Sequence, residues 1–587
     1  MEPNQLDQLK SRISELEQLG RHEEAYKLIV KKRRRNIADP QLNLIFAELC
    51  SRLNKHNQAI EAYAALYDRV NEKGVLIAKL LSSVGESPNA KVPKKLRADI
   101  TQLLARHLKA ASRSDRLRLV VTIFDLLRIN RESATRRSDE LFESYVLPVA
   151  DSLLSLQAFD ELLWLESQCH EILVKQDESE KRFQYVSHLL AQRTERAGLI
   201  KRETLPSLRL SEPNSKIAFF IHAASTLAHV EGFLNTISAL KTHAKIKIEP
   251  VLVIFSGKDE NLNSRCRDLG IQIKSLDEKG TRNSATAKLI ETRNFLREEG
   301  INVLVWLCLA AFMPFAMTIR MAPIQVWWSM KFHSYFSPSI DIYLASYFQA
   351  SIPAIGNHWL ESFLPYEVPP KPTELAIQQA RASLGNNVRV IAALAREEKI
   401  ASTVFLNKVR TILEATDNTI FVWTGRQENR DVKLFFEKHQ LANRVAFVGW
   451  VDTNLYANVI DILIDTFPSS SGFTLLNAMA AGKPVLFSSP EFSSHRGHIS
   501  ATLKKIPATL SRDELSLWEY TLSRSEDYLA FLEELQDPAL VSSIGNLNKK
   551  IIEKVMANSH ASAQLYETHF NKIMASARTS SGTTVTT

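Results

Sequence analysis

Cysteine is scarce in this chain: Cys50, Cys169, Cys266 and Cys308 are the four in 587 residues, and none belongs to a CxxC pair. That spacing disfavours a disulfide framework or a zinc site and suits a reducing compartment. An apolar leader is also missing. The opening MEPNQLDQLK is polar and acidic, so the chain is expected to stay in the cytoplasm. The uncharged run at residues 303–319, rich in Leu, Ala and Phe, falls short of the roughly 20 residues that span a bilayer and contains Pro314. It reads as buried strand, turn and helix, with no integral membrane segment. Neither sign of charge dominates. With 73 Lys and Arg against 65 Asp and Glu, the net +8 suits an anionic small molecule and does not indicate nucleic acid. The one dense basic run, Lys31 to Arg35, continues an apparent helix and reads as a solvated face.

Hydrophobic residues at 45% and charged residues at 24% are ordinary globular values, and the length calls for two to four domains. Residues 1–200 carry little turn punctuation and many apolar positions at helical spacing. Leu19-Gly20-Arg21-His22-Glu23-Glu24-Ala25 is echoed by Leu53-Asn54-Lys55-His56-Asn57-Gln58-Ala59, an offset of 34 residues. That is the period of tetratricopeptide helix pairs. Two repeats cannot bury their faces alone, so they should pack on further helices at about 96–128 and 138–175.

Beyond the polar linker Ser211-Glu212-Pro213-Asn214-Ser215 the pattern changes. Short apolar strands at 216–221, 248–255, 271–273, 303–308 and 324–327 alternate with helices, the first of them at 228–240. After a break containing Pro365, Pro369, Pro370 and Pro372, strands follow at 388–394, 419–423, 445–448, 460–464 and 484–487. Alternation of this kind predicts two successive α/β units with parallel sheets and a ligand cleft between their carboxyl edges. No GxGxxG follows the first strand of either, which disfavours a nicotinamide or flavin dehydrogenase.

Several segments line up with one family. Arg320-Met321-Ala322-Pro323-Ile324-Gln325-Val326-Trp327-Trp328 resembles the R-x-A-P-I-Q-x-x-W segment of O-linked N-acetylglucosamine transferases. Asp461 to Pro468 resembles their A-D-V-C-L-D-T-x-P stretch, and the likeness continues through Ser470-Ser471-Gly472-Phe473-Thr474 to Ala480-Ala481-Gly482-Lys483-Pro484-Val485. It covers roughly residues 216–500 and extends to the bacterial soluble N-glycosyltransferases. The resemblance implies a GT-B transferase, metal-independent and without a cofactor, in which a nucleotide-sugar, usually a UDP-sugar, serves as co-substrate. It also implies a protein acceptor.

Glycosyl transfer needs the leaving diphosphate stabilised, and a fixed cation or a helix start can do this. Lys399 resembles the family lysine that faces the diphosphate, with Arg396 as a second candidate. Ser470, Ser471, Gly472 and Thr474 precede a helix whose first turn offers phosphate ligands or simple capping. Asn477 stands where the family carries an acid that grips the donor ribose, and it lacks that charge. His229 and His333 are candidates for groups near the acceptor, each with a plain packing role as alternative. His222, at the end of the first strand, has the same packing alternative, and Asp341 looks structural. No carboxylate pair has a convincing metal spacing.

The expected architecture is therefore a helical tetratricopeptide-like domain (1–210), an acceptor-side α/β half (211–368), a nucleotide-sugar half (369–574) and a disordered tail (575–587). A non-catalytic repeat scaffold with a degenerate transferase domain, a transferase acting on a glycan, and a two-domain sugar-nucleotide epimerase are the competing readings.

Overall fold

The computed structural model describes the chain except residues 1–2, 37, 87–91, 93, 130–140, 171–188, 209, 211–214, 226, 277–283, 308–311, 330–335, 346–358, 363–364, 386, 468–469, 489–493, 506–508 and 580–587. Most of the 211–215 linker, Cys308 and His333 therefore lie outside the described residues.

Among the described residues up to 202 every regular element is a helix, and the 34-residue echo falls on turns between helices. Pro3–Gln18 is followed by His22–Arg35, and Pro40–Arg52 by His56–Leu66. Each turn closes in the same way. Gly20 and Asn54 take positive φ, +70° and +57°, and the next residue bonds back five positions, Arg21 N–H to Leu16 O and Lys55 N–H to Cys50 O. This is the helix-ending geometry that only Gly and Asn adopt readily. The expected helix at 96–128 is in fact two, Lys94–Ala110 and Arg113–Ile129, because Ser112 accepts the Asp115 N–H and starts a new helix. The expected 138–175 helix is likewise broken at 156–158, between Leu147–Ser155 and Phe159–Cys169.

The first sheet comprises β1 (Lys216–Ala223), β2 (Glu249–Ser256), β3 (Gln272–Ser275), β4 (Val303–Trp306), β5 (Ile324–Trp328), β6 (Ile342–Ala345) and β7 (Trp359–Glu361). Its order is β3-β2-β1-β4-β5-β6-β7, all parallel. The last two strands, β6 and β7, exceed the sequence expectation. The second sheet, β8 (Arg389–Ala393), β9 (Thr419–Trp423), β10 (Val445–Phe447), β11 (Ile462–Ile464) and β12 (Val485–Leu486), is also parallel, in the order β10-β9-β8-β11-β12.

Side chains alternate between two cores, as the strand period demands. On β1, Ile217, Phe219 and Ile221 face one cluster, which also holds Tyr566, Phe570 and Ile573. Ala218 and Phe220 face the other, continuous with the N-terminal helices. Two corrections to the expected domains follow. Residues 559–574 pack on the first α/β half instead of the second, because the Tyr566, Phe570 and Ile573 stripe of the Ser559–Thr579 helix is buried there. That helix also runs to Thr579, into the stretch expected to be a disordered tail.

Candidate active site

In each sheet the chain order reverses beside the first strand, at β1/β4 and at β8/β11, and a ligand crevice opens at the carboxyl ends of such neighbours. In the second half the loops after all five strands contribute there. After β8 comes the short Glu397–Ile400 helix, with Arg396 at its N-cap. Lys399, half-buried, donates from Nζ to Ser470 O at 2.6 Å. Glu397 is buried, and its Oε2 accepts the Arg426 N–H at 2.9 Å. Gly425, after β9, makes room for that carboxylate: a Cβ there would stand 3.0 Å from the same oxygen. After β10, Gly449 O accepts the Gly425 N–H at 3.2 Å, and Trp450 follows with 60% of its surface exposed, 5.7 Å from the Arg426 guanidinium.

Asp465, after β11, is fully buried and organises the next loop. Its Oδ1 accepts from Ser470 Oγ and from Ser471 N–H, each at 2.9 Å, while Oδ2 accepts from Ser488 Oγ, after β12, at 2.8 Å. One carboxylate thus fixes the 470–471 turn to two strand ends. Gly472, with φ +70° and ψ −133°, then leads into the Phe473–Ala480 helix without a side-chain cap. Its backbone angles are ones L side chains rarely adopt. The Thr474 hydroxyl donates to Ser471 O at 2.8 Å, and Ser471 Oγ accepts the Thr466 N–H at 3.3 Å, so neither serves as a simple N-cap. Asn477 is buried in the same helix. Its Oδ1 accepts from Tyr366 Oη at 2.6 Å, and its Nδ2 donates to Thr453 Oγ1 at 3.1 Å.

Lys399, Ser470, Ser471, Gly472 and Thr474 are therefore brought together, with Arg396 in the loop before Lys399. His229 sits on the other half, half-buried in the first turn of the Ala228–His243 helix. His222, at the end of β1, packs between the Phe255 and Phe312 rings, 5.6 and 5.2 Å away. It lines a cavity of about 1600 Å³ walled by the N-terminal helices and the first half. Asp341 is structural: it accepts from Arg320 and from the Gln325 N–H, fixing the start of β5. Asp465 and Glu397 went unassigned in the sequence reading. Asp465 lay in the stretch resembling D-T-x-P without a role of its own, and Glu397 was marked only by its place just beyond a strand, beside Lys399. Among the described residues, no three or more His, Cys, Asp or Glu side chains group to hold a metal, and no helix is long and apolar enough to cross a membrane.

Comparison with known proteins agrees with this architecture. Residues 386–497 match the family model of glycosyl transferases group 1, whereas no curated protein matches. Among solved structures, a mutant of the Thermobaculum terrenum O-GlcNAc transferase is similar over 97% of this chain and 98% of its own, at 14% identity and TM-score 0.52. Anabaena HepE in complex with UDP and glucose covers 61% of this chain and 100% of its own, at 12% identity and TM-score 0.45. The UDP-GlcNAc 2-epimerase of Neisseria meningitidis bound to UDP-GlcNAc covers 61% and 100%, at 13% identity and TM-score 0.38. The chain thus has the GT-B fold behind a helical region, and the crevice built by Glu397, Lys399 and the Asp465-anchored turn lies within residues 386–497, the stretch that matches the glycosyl transferases group 1 model.

Proposed function

We propose that the chain moves a sugar from a UDP-linked donor to a protein side chain, with the leaving diphosphate stabilised by protein groups and without metal. The observation that carries this reading is Lys399 held 2.6 Å from Ser470 O, at a turn anchored by Asp465 and opening a helix. A fixed ammonium beside a helix N-terminus offers preorganised positive potential where charge develops on the leaving group. Arg396 and the Ser470, Ser471 and Thr474 loop supply further phosphate contacts. His229 is the base candidate on the facing half; His333 shares that role but lies outside the described residues.

A protein acceptor is favoured by the cavity beside β1 and β2. At about 1600 Å³ it exceeds the roughly 300–1,000 Å³ of a small-molecule site. Val75, Val121 and Trp164, on three different helices, line it while 51%, 44% and 42% exposed. The helical region thereby becomes the acceptor-presenting part, and the scarcity of cysteine fits cytoplasmic work.

Calorimetric titration with UDP tests the donor site. Lys399→Ala is expected to weaken binding by about 1.5–3 kcal/mol, the scale of a hydrogen bond to a charged group; undiminished affinity would remove the assignment. Turnover is expected to survive a chelator, and activity lost to chelation and restored by manganese would contradict the metal-free part. A non-catalytic scaffold is the second reading, favoured by the engagement of both ends of the Asn477 amide within the protein. Donor hydrolysis by the full chain would exclude it.

A further inference from the structure

Asn477 occupies the position where the resemblance places a ribose-gripping acid, yet its surroundings are those of a joint. Its side-chain oxygen takes the Tyr366 hydroxyl proton at 2.6 Å, and its amide nitrogen donates to Thr453 Oγ1 at 3.1 Å. Only 9% of its surface is exposed. Tyr366 belongs to the proline-containing segment that crosses from the first half to the second. It is 6% exposed, and burial pushes its phenol well above the usual range, so it remains a neutral donor.

The same segment is tied on every side. Asn235 Nδ2, from the first half, donates to Pro365 O at 3.2 Å. Tyr366 N–H donates to Met556 O at 3.2 Å, where the chain crosses back towards the first half. Asn454 Nδ2 donates to Pro370 O at 2.8 Å. The Tyr366 ring meets Phe473 at 5.7 Å, and Phe473 packs against cores of both halves. Both crossings and the start of the Phe473–Ala480 helix thus meet at Tyr366, and Asn477 holds its hydroxyl to that helix.

We propose that Asn477 is a positioning residue that, through Tyr366, sets the geometry of the two interdomain crossings relative to the helix bearing the donor loop, and that it makes no contact with the donor ribose. An amide suits this task. It can accept from Tyr366 and donate to Thr453 at once, whereas a carboxylate is acceptor-only. A charge buried to this extent would also carry a desolvation penalty. The inference leans on the UDP reading only for its nucleotide experiment.

The primary test uses the full chain without nucleotide. Hydrogen exchange read by mass spectrometry over 365–372 and 552–559 is expected to quicken about two- to tenfold in Asn477→Ala, the range for one lost hydrogen bond. Tyr366→Phe should quicken the same two segments, and the double variant should add little to either single change. Asn477→Asp keeps the oxygen that Tyr366 donates to but cannot donate to Thr453 and buries a charge, so it should quicken both segments as well. Faster exchange confined to 473–480, or additive effects of the two single changes, would overturn the proposal.

The nucleotide experiment compares UDP with 2′,3′-dideoxy-UDP. Asn477→Ala should alter the affinity of both by the same factor, and an effect on UDP alone would restore the ribose contact. Should wild type bind neither nucleotide, the donor reading fails, and the exchange measurements still decide this inference.

Discussion

Glu166, in the Phe159–Cys169 helix, is buried at 4% exposure, with one oxygen 3.3 Å from the Thr194 hydroxyl that donates to it. Burial, reinforced slightly by Glu195, pushes its carboxyl well above the usual range despite that hydrogen bond. In the unfolded chain the same group titrates near pH 4.3. Between the unfolded and folded values the native state holds the extra proton, so stability falls as pH rises through that interval. Glu166→Gln keeps the shape and removes the titration. It is expected to raise the melting temperature by about 2–4 °C at pH 8, with the gain disappearing by about pH 4. A gain independent of pH would mean that packing, not protonation, sets the penalty. Such a residue could not be picked out of the sequence, because Glu161, buried in the same helix but paired with Arg116, looks no different from Glu166 there. Lys399 could be, because a resembling motif singled it out. Asp465 stood in a resembling motif and Glu397 beside Lys399, but neither role was legible, since each depends on turns contributed by other strand ends.

Helix Ala191–Arg202 shows two element-scale rules in opposition. Propensity alone makes Gly198→Ala stabilising by roughly 1 kcal/mol. Packing reverses the sign: a Cβ at Gly198 would meet Phe315 O and Thr318 Cβ at 2.8 Å each, on the neighbouring Met313–Thr318 helix. A backbone oxygen cannot move aside cheaply, and overpacking costs about 1–3 kcal/mol. Gly198→Ala is therefore expected to lower stability in a denaturant melt, and an increase would show that the two helices slide apart freely. The same limit governs what periodicity could reveal. The 34-residue echo was readable because Gly20 and Asn54 are residue types that favour positive φ. A third copy of that turn exists at Leu156-Gln157-Ala158, with Gln157 at φ +52° and Ala158 N–H bonded to Leu153 O. Gln157 and Phe159 carry no sequence signal for it, so the third turn is visible only in three dimensions. Strands β8 and β9 were readable as apolar runs, whereas β6 and β7, four and three residues long, were not recognised.

At the scale of the whole molecule, the change of pattern near residue 211 marks a boundary in sequence and not in packing. Phe220, Trp306, Phe315 and Trp327 of the first α/β half lie in one hydrophobic cluster with Leu42, Leu80, Val120 and Leu162 of the helical region. Arg293 strengthens the seam: its guanidinium, lowered to about 10 by burial, bonds Ile319 O and Arg320 O within the first half. It also bonds Pro206 O at 2.5 Å, on the helical side. A chain begun at Ser211 would expose that whole face of the sheet, so removing the helices tests folding before it tests acceptor binding. The second half is different, since its two clusters contain no residue of the helical region. Cooperative units follow shared cores. Hydrogen exchange on the full chain is therefore expected to give the helical region and the first sheet one common opening free energy. The 389–486 sheet is expected to open separately, with its own value. A first sheet that kept full protection while the helices opened would make the helical region a detachable module.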